Sequence, residues 1–462
     1  MTTATAVPTR SPAGRRSASW LLAVILTGQF MAILDVSIVN VAAPTIRADL
    51  GTGGSALQLI ISGYTIAYAM LLVTGARLGG LTGYRKVFLS GLALFTLASL
   101  LCGLATAQGP LIAFRLLQGA GAALMVPQVL SLIQLTFDGA ARARAIGLYS
   151  GVIATAAVVG QVLGGLLVTA DLFGTAWRPV FLVNVPVGIV LLAAGARLLP
   201  GEHVRRDQGI DIPGLVTLSL AVSLLVVPLV LGHEEDWPLW GWISMAASAV
   251  LLGVFVLVER RAAHPIVPAR LLRAPGFTPA ALAIFLSMVS YGGFLFTLAL
   301  HLQGGLGDGP LRAGLTFVPA AVGFALVSLT WQRLPAAWHR AMITIGLVTA
   351  AAGYLGVALT LRDGGHGEPL LEIVLAVASV GLSFAFGPLL TVALQGVAPA
   401  DAPDASGVTA MMLQLGQVAG VAALGTLFLS LRPSAHAMAV TGAGLAVVAL
   451  AAAATSLPLL RR

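Results

Sequence analysis

The sequence predicts an all-α, polytopic membrane protein with fourteen transmembrane helices, and three observations carry that prediction. Hydrophobic residues make up 58% of the 462 residues and charged ones only 9%, with a mean hydropathy of +0.97. A soluble domain of this length needs more polar side chains to cover its surface. Apolar windows of the roughly 20 residues needed to cross a hydrocarbon core about 30 Å thick recur along the whole chain. The charges gather in the short joints between them.

The first apolar run, 20 to 43, follows the basic residues Arg10, Arg15 and Arg16, as a secretory signal would. It outlasts a signal's apolar stretch, so an uncleaved first helix is expected. Five more runs follow at 56–76, 87–107, 110–137, 145–170 and 179–199; then come 212–232 and 238–258, and six last runs at 277–303, 311–331, 341–361, 369–397, 405–430 and 436–460. Two longer, more charged joints, "PGEHVRRDQGID" at 200–211 and "ERRAAHPIVPARLLRAPG" at 259–276, divide the helices into six, two and six. The expected organisation is a cytoplasmic tail (1–19), an N-terminal six-helix bundle (20–199), an inserted helix pair with its linkers (200–276) and a C-terminal six-helix bundle (277–462). The joint after the second helix of each bundle repeats faintly, "RLGGLTGYRK" at 77 and "RLPAAWHR" at 333. Internal duplication is common in transporter folds.

With the N-terminus in the cytoplasm, nineteen Lys and Arg residues fall on cytoplasmic segments and five (Arg47, Arg178, Arg312, Arg362, Arg432) on external ones. The positive-inside rule therefore places both termini inside. The acidic tract HEED at 233–236 falls outside, as a solvated loop. The net charge of +8 does not indicate a nucleic-acid partner, because no soluble domain clusters the basic residues. Cys102 is the one cysteine; it excludes an intramolecular disulfide, and a buried, unreactive thiol is expected.

One residue breaks the apolar pattern. Asp35 stands in "MAILDVSIVNVAAPTI" at 31–46, where no other charge occurs between Trp20 and Arg47. A charge at the centre of a membrane helix costs roughly 2.5 to 3.5 kcal/mol on insertion scales. Asp35 shares a helical face with Gly28, Met31, Ala32 and Ala42, a small-residue face suited to helix packing. The bulkier Leu22, Ile25 and Ile33 are expected toward lipid. A structural carboxylate bonded between helices is one reading; a proton carrier is the other, because desolvation favours a neutral carboxyl group. The expected partner is Arg115 in "PLIAFRLLQGAGAALMVPQ", some 7 to 8 Å in from the external end where Asp35 comes out at roughly 12 to 14 Å. Snorkelling to the surface is the alternative for Arg115. Gln118 shares its face, and Glu372 is a weaker second candidate acid.

The fifth run carries Gly147, Gly151, Gly160, Gly164 and Gly165, a spacing that lets backbones approach and slide. Met31, Tyr64, Tyr68, Gln118, Gln161, Tyr291, Met411, Met412, Gln414 and Gln417 are candidates to line a cavity, with ordinary helix packing as the alternative for each. No GxxxxGK[ST] loop, HExxH helix or paired-cysteine motif occurs, so ATP hydrolysis, a metal site and enzymatic chemistry lack a candidate constellation. One buried acid, one buried base and Gly-rich helices suit ion-coupled transport.

With these segments in place, the sequence resembles the fourteen-helix drug/proton antiporter branch of the major facilitator superfamily over nearly its whole length. "LDVSIVNVAAPTI" looks like the branch's first-helix signature L-D-x-T-x-V-N-V-A-x-P, with Asp35, Asn40 and Pro44 in place and Ser37 for Thr. "RLLQGAGAA" at 115–123 looks like the fourth-helix motif, on Arg115, Gln118, Gly119 and Gly121. "WRPVFLVNVP" at 177–186, "DIPG" at 211 and "ERR…HP" at 259 also resemble this branch. Two motifs depart from pattern. The joint usually reading G-x-L-x-D-R-x-G-R-R-[RK] here has Gly80 at the aspartate, Leu81 at the arginine and Tyr84 at the first basic position, while Gly83, Arg85 and Lys86 remain. The fifth-helix motif G-x-x-x-G-P-x-x-G-G has Gln161 where proline belongs, between Gly160 and the pair Gly164 and Gly165. The first departure bears on the conformational lock, the second on bending of helix five.

The resemblance implies a major facilitator fold and a proton-coupled antiporter that exports hydrophobic small molecules across a bacterial cytoplasmic membrane. Asp35 and Arg115 would couple protons. No cofactor is implied beyond the proton gradient; the implied partners are substrate, protons and the bilayer around a monomer. A dedicated exporter of one endogenous metabolite or antibiotic is the alternative within transport. A non-transporting receptor or regulatory subunit is the alternative outside it, which a large soluble extension would favour and this sequence lacks.

Overall fold

The computed structural model describes residues 12–52, 54–201, 211–231, 238–262, 265–398 and 401–460. HEED and most of the 200–211 joint lie outside the described residues. The helices are α1 (Pro12–Leu50), α2 (Gly54–Thr82), α3 (Tyr84–Gly103), α4 (Gln108–Thr136), α5 (Gly139–Ala170) and α6 (Pro179–Leu198, broken at Val183). After α7 (Ile212–Leu231) and α8 (Leu239–Arg261) come α9 (Phe277–Leu300), α10 (Leu311–Arg333), α11 (His339–Leu361), α12 (Leu370–Gln395), α13 (Ala402–Ser430) and α14 (Ser434–Leu460). All-helical architecture follows from the medium: without water, each backbone N–H and C=O needs a partner inside its own segment.

The expected count of fourteen spans is met in part. Among the described residues twelve helices are long and apolar enough to cross a membrane, or thirteen if α5, bent by 42° between Gly139–Ile153 and Val158–Ala170, is one span. The 212–232 run supplies a shorter apolar helix, Ile212–Pro228.

Helices α1–α6 pack with one another and α9–α14 with one another; α5 meets α10 and α12, and α13 meets α2 and α4, across the interface between the two sets. Helix α7 lies against both α2 and α13, whereas α8 packs on α7. Ser244 and Ser248 fasten that pair by donating to Leu224 O and Ala221 O, at 2.8 and 2.7 Å. Asp211 caps α7, its Oδ1 accepting from Gly214 N at 2.9 Å.

Two glycines set the N-terminal bundle's geometry. Gly83 joins α2 to α3 alone, at φ 108°, a conformation that L side chains rarely adopt. Gly121 brings α4 onto α3 so closely that an added Cβ would lie 2.6 Å from Phe95 N. Helix α1 runs between α4, α5, α6 and α2, which corrects one expectation: Ile25 is fully buried in the core, while Leu22 and Ile33 are half-buried. A helix enclosed on several sides has no clean lipid stripe.

The bend in α5 has a visible cause although Gln161 replaces the expected proline. The Tyr291 hydroxyl of α9 donates to Ile153 O at 3.4 Å, and Thr155 Oγ1 donates back to Gly151 O at 2.8 Å. Side chains that bond to a helix's own carbonyls bend it.

Candidate functional site

The site is built where α1, α3, α4 and α6 meet. Asp35 and Arg115 are both fully buried, and their side chains pair at 2.5 Å, Arg115 Nη1 donating to Asp35 Oδ2. Asp35 Oδ1 accepts from Gln118 Nε2 at 2.7 Å and from Asn184 Nδ2 at 3.1 Å. Gln118 sits one turn beyond Arg115 on α4, so its Oε1 also accepts from Arg115 Nη1 at 2.6 Å while its amide donates to Ser99 of α3 at 2.8 Å. Arg115 Nε donates to Ile60 O at 3.0 Å, and the guanidinium lies 4.8 Å from the Tyr64 ring centroid and 5.7 Å from that of Phe181. Tyr64 is held for this by its own bond to Ala32 O at 2.9 Å. The local sequence explains the closeness: Gly160 and Gly164 of α5 lie against Leu34, Ser37 and Ile38 of α1, so α1 is pressed toward α4 and α6.

Every side chain facing Asp35 is a donor. That arrangement suits an ionised carboxylate, and one anion against one cation leaves the site neutral. A proton on Asp35 would set a donor against donors. Neutralising the acid would require Arg115 to turn away or the Gln118 or Asn184 amide to flip. Asn184 and Ser99 were not singled out from the sequence; Asn184 stands within "WRPVFLVNVP", and a polar side chain directly after the break at Val183 was the available signal.

The other candidates divide. Tyr68 stacks on Tyr64 with centroids 6.0 Å apart, and its hydroxyl is buried without a partner. Gln161 lies beside Gly314, with Oε1 buried and unpartnered. Met31 and Gln414 are buried, and Met412 and Gln417 half-buried. Tyr291 bonds to Ile153 O of α5 and packs on Phe324, and Met411 sits with Ala69, Val73 and Ile266 in the seam between α2, α7 and α13. Glu372 is exposed, so the second-acid reading fails. Cys102 is buried as expected, 3.8 Å from Gln118 Oε1. Gly147 meets Ser328, Gly165 meets Leu311, and Gly151 has open space. Among the described residues no group of three His, Cys, Asp or Glu side chains is placed to hold a metal ion.

At the end of the molecule where α2 turns into α3, here the basic end, Gly80 lines a cavity with Arg77, Tyr84, Ile266, Asp404 and Met411, and a Cβ added there would lie 3.6 Å from the Tyr84 hydroxyl. Carboxylates come instead from the opposite bundle. Asp404, in the first turn of α13, lies 4.0 Å from Arg77 Nη1 and 3.5 Å from Arg270 Nη2, and Asp401 pairs with Arg270 Nε at 2.8 Å. Arg85 donates to Ala196 O at 2.5 Å, tying α3 to the end of α6, and Lys86 follows on the same turn. An Asp404→Asn change is expected to loosen this end: a carboxylate near a helix N-terminus contributes about 0.3 to 1 kcal/mol. Labelling of a Met411→Cys reporter in a Cys102→Ala background should rise by up to roughly fivefold; an unchanged rate would show that Asp404 does not hold the seam.

A sequence profile of the Major Facilitator Superfamily matches residues 25–421. The probable actinorhodin transporter of Streptomyces coelicolor is 40% identical over 454 residues, covering 96% of this chain and 78% of that protein. The cephamycin export protein CmcT of Amycolatopsis lactamdurans is 36% identical over 435 residues, covering 91% and 88%. The crystal structure of the human organic anion transporter MFSD10 superposes with a TM-score of 0.67 at 15% identity, covering 96% of this chain and 100% of that one, a likeness of fold alone. A profile matched over most of the chain, together with a relative this similar, shows the family: the chain is a multi-pass membrane protein that belongs to the Major Facilitator Superfamily.

Proposed function

We propose that this protein is a proton-coupled antiporter that exports hydrophobic small molecules of the antibiotic class across a bacterial cytoplasmic membrane. The observation that carries the reading is the buried Asp35–Arg115 pair, held by donors on α4 and α6 that favour one charge state of the acid. An ionisable pair buried among membrane helices marks an ion or substrate pathway by default. In this reading the bent α5 and the short α7 each count as a span, giving fourteen. Both termini and the basic end face the cytoplasm, and the monomer draws its energy from the proton gradient without a cofactor.

A dedicated exporter of one endogenous antibiotic is the second reading. It is favoured by relatives whose names tie them to single compounds, actinorhodin and cephamycin. A substrate panel separates the two: one transported compound supports the dedicated exporter, several unrelated ones the broader pump.

The coupling is tested in energised everted vesicles with a pH-sensitive dye. Adding a transported compound is expected to dissipate the inward proton gradient, and a protonophore to abolish accumulation. Accumulation that persists at full ratio without any ion gradient would sink the proposal.

A further inference from the structure

The far end of the C-terminal bundle carries a polar cluster outside the site described above. The last turn of α9 opens into a π-turn over His301–Gly305, a local form that recurs where a function maintains it. His301 is fully buried, and no side chain bonds to either ring nitrogen. Its ring lies edge-on to Phe428 of α13, centroids 6.4 Å apart, and the Ser434 backbone of α14 is the polar group that reaches it. The next loop folds back on this turn, Leu306 N donating to His301 O and Asp308 N to Leu302 O, both at 2.9 Å. Asp308 is thereby held near the imidazole, and it is the carboxylate whose charge acts on it.

Asp308 is itself half satisfied. Its Oδ1 is shared by His366 Nε2 at 2.9 Å and Arg312 Nε at 3.3 Å, whereas Oδ2 is buried without a partner. Arg312 also reaches Glu368 at 3.4 Å. The remaining charged groups at this end stand apart: Arg432 and His436 are exposed, Glu372 of α12 is exposed, and Arg362 pairs with Asp363 at 3.6 Å. An imidazole that no side chain meets and a carboxylate oxygen without a partner thus share one buried cluster. Buried polar groups are rarely left so.

We infer that His301 and Asp308 form a proton-binding site, distinct from Asp35, that sets the packing of α10 on α5 at the far end. A proton taken from water on that side converts the imidazole into an imidazolium with two N–H donors, and Asp308 Oδ2 is the unused acceptor in the same cluster. The acid is then drawn toward α9 in competition with Arg312, which lies on α10. That matters for the whole molecule because α10 begins at this point and carries the contact between bundles: Leu311 lies against Gly165, and Gly314 against Gln161 and Val162 of α5. The site's place in transport rests on the proton-antiport reading, but its effect on packing is measurable without transport.

The test is a distance measurement between spin labels at two exposed positions, Leu166→Cys on α5 and Leu315→Cys on α10, in a Cys102→Ala background reconstituted in liposomes. Between about pH 5.5 and about pH 8 the distribution is expected to redistribute between two separations by at least roughly fivefold. Both His301→Gln and Asp308→Asn should lose that response, and Asp35→Asn should keep it. An unresponsive parent overturns the inference even if no variant folds. So does a response that survives His301→Gln, or one lost only in His366→Gln. Failure of the antiport reading would show differently, as export without proton flux alongside an intact distance response.

Discussion

An Asp35→Asn variant is expected to insert and fold, yet to lose uphill export altogether, its accumulation ratio falling to about one because an amide does not titrate in this range. The structure sharpens the reason. Arg115, Gln118 and Asn184 all donate to the carboxylate, and an asparagine offers one acceptor where Asp35 offers two. Its amide must turn its oxygen to Arg115 and present its NH2 to donors, or Gln118 must flip. The site then resembles the protonated state frozen in place. Exchange down a substrate gradient is expected to survive, since it needs no proton to be released. The measurement is paired: accumulation in energised vesicles and counterflow in de-energised ones. Wild-type accumulation in the variant would return Asp35 to a structural role.

Arg115→Ala is expected to be more damaging than Arg115→Lys. Alanine leaves Asp35 charged and buried without its counter-ion, a loss of about 3 to 5 kcal/mol for a truly buried pair; it also strips the Ile60 carbonyl and uncovers the Tyr64 ring. Lysine keeps the charge but has no planar fork, so it cannot serve Asp35, Gln118 and Ile60 O together. Protein yield and thermal stability should fall in the order wild type, Lys, Ala. Because one interaction is lost in both single variants, the double change Asp35→Asn with Arg115→Ala should be clearly less destabilised than the sum of the two singles. Strict additivity would mean that the pair is not energetically coupled.

How much of this was legible in the sequence depends on which atoms carry each feature. The apolar windows mark each helix, and Asp35, Arg115 and Gln118 stand out because a charge or amide in hydrocarbon needs an explanation wherever it falls. Asn184 is set 149 residues from Asp35, and only the three-dimensional turn at Val183 brings it in. Ile60 contributes a carbonyl, which no side-chain pattern announces. The assignment of Ile25 to lipid failed because α1 is hemmed in by four neighbours, and a stripe argument presumes a helix with a free side. At the basic end the empty position of Gly80 was visible, but not its remedy: Asp401 and Asp404 look like solvated loop acids until α13 is placed beside α2 and Arg270.

Tyr291 has a consequence for how the two halves communicate. The bend in α5, a helix of the N-terminal bundle, is propped by a phenol that belongs to the C-terminal bundle. If the halves draw apart at that level, the bond to Ile153 O is lost and α5 is free to relax toward straightness. The curvature of one half is then a gauge of its distance from the other. A proline hinge would have built that curvature permanently into the chain; with Gln161 in its place, the shape is lent across the interface and returned whenever contact is broken.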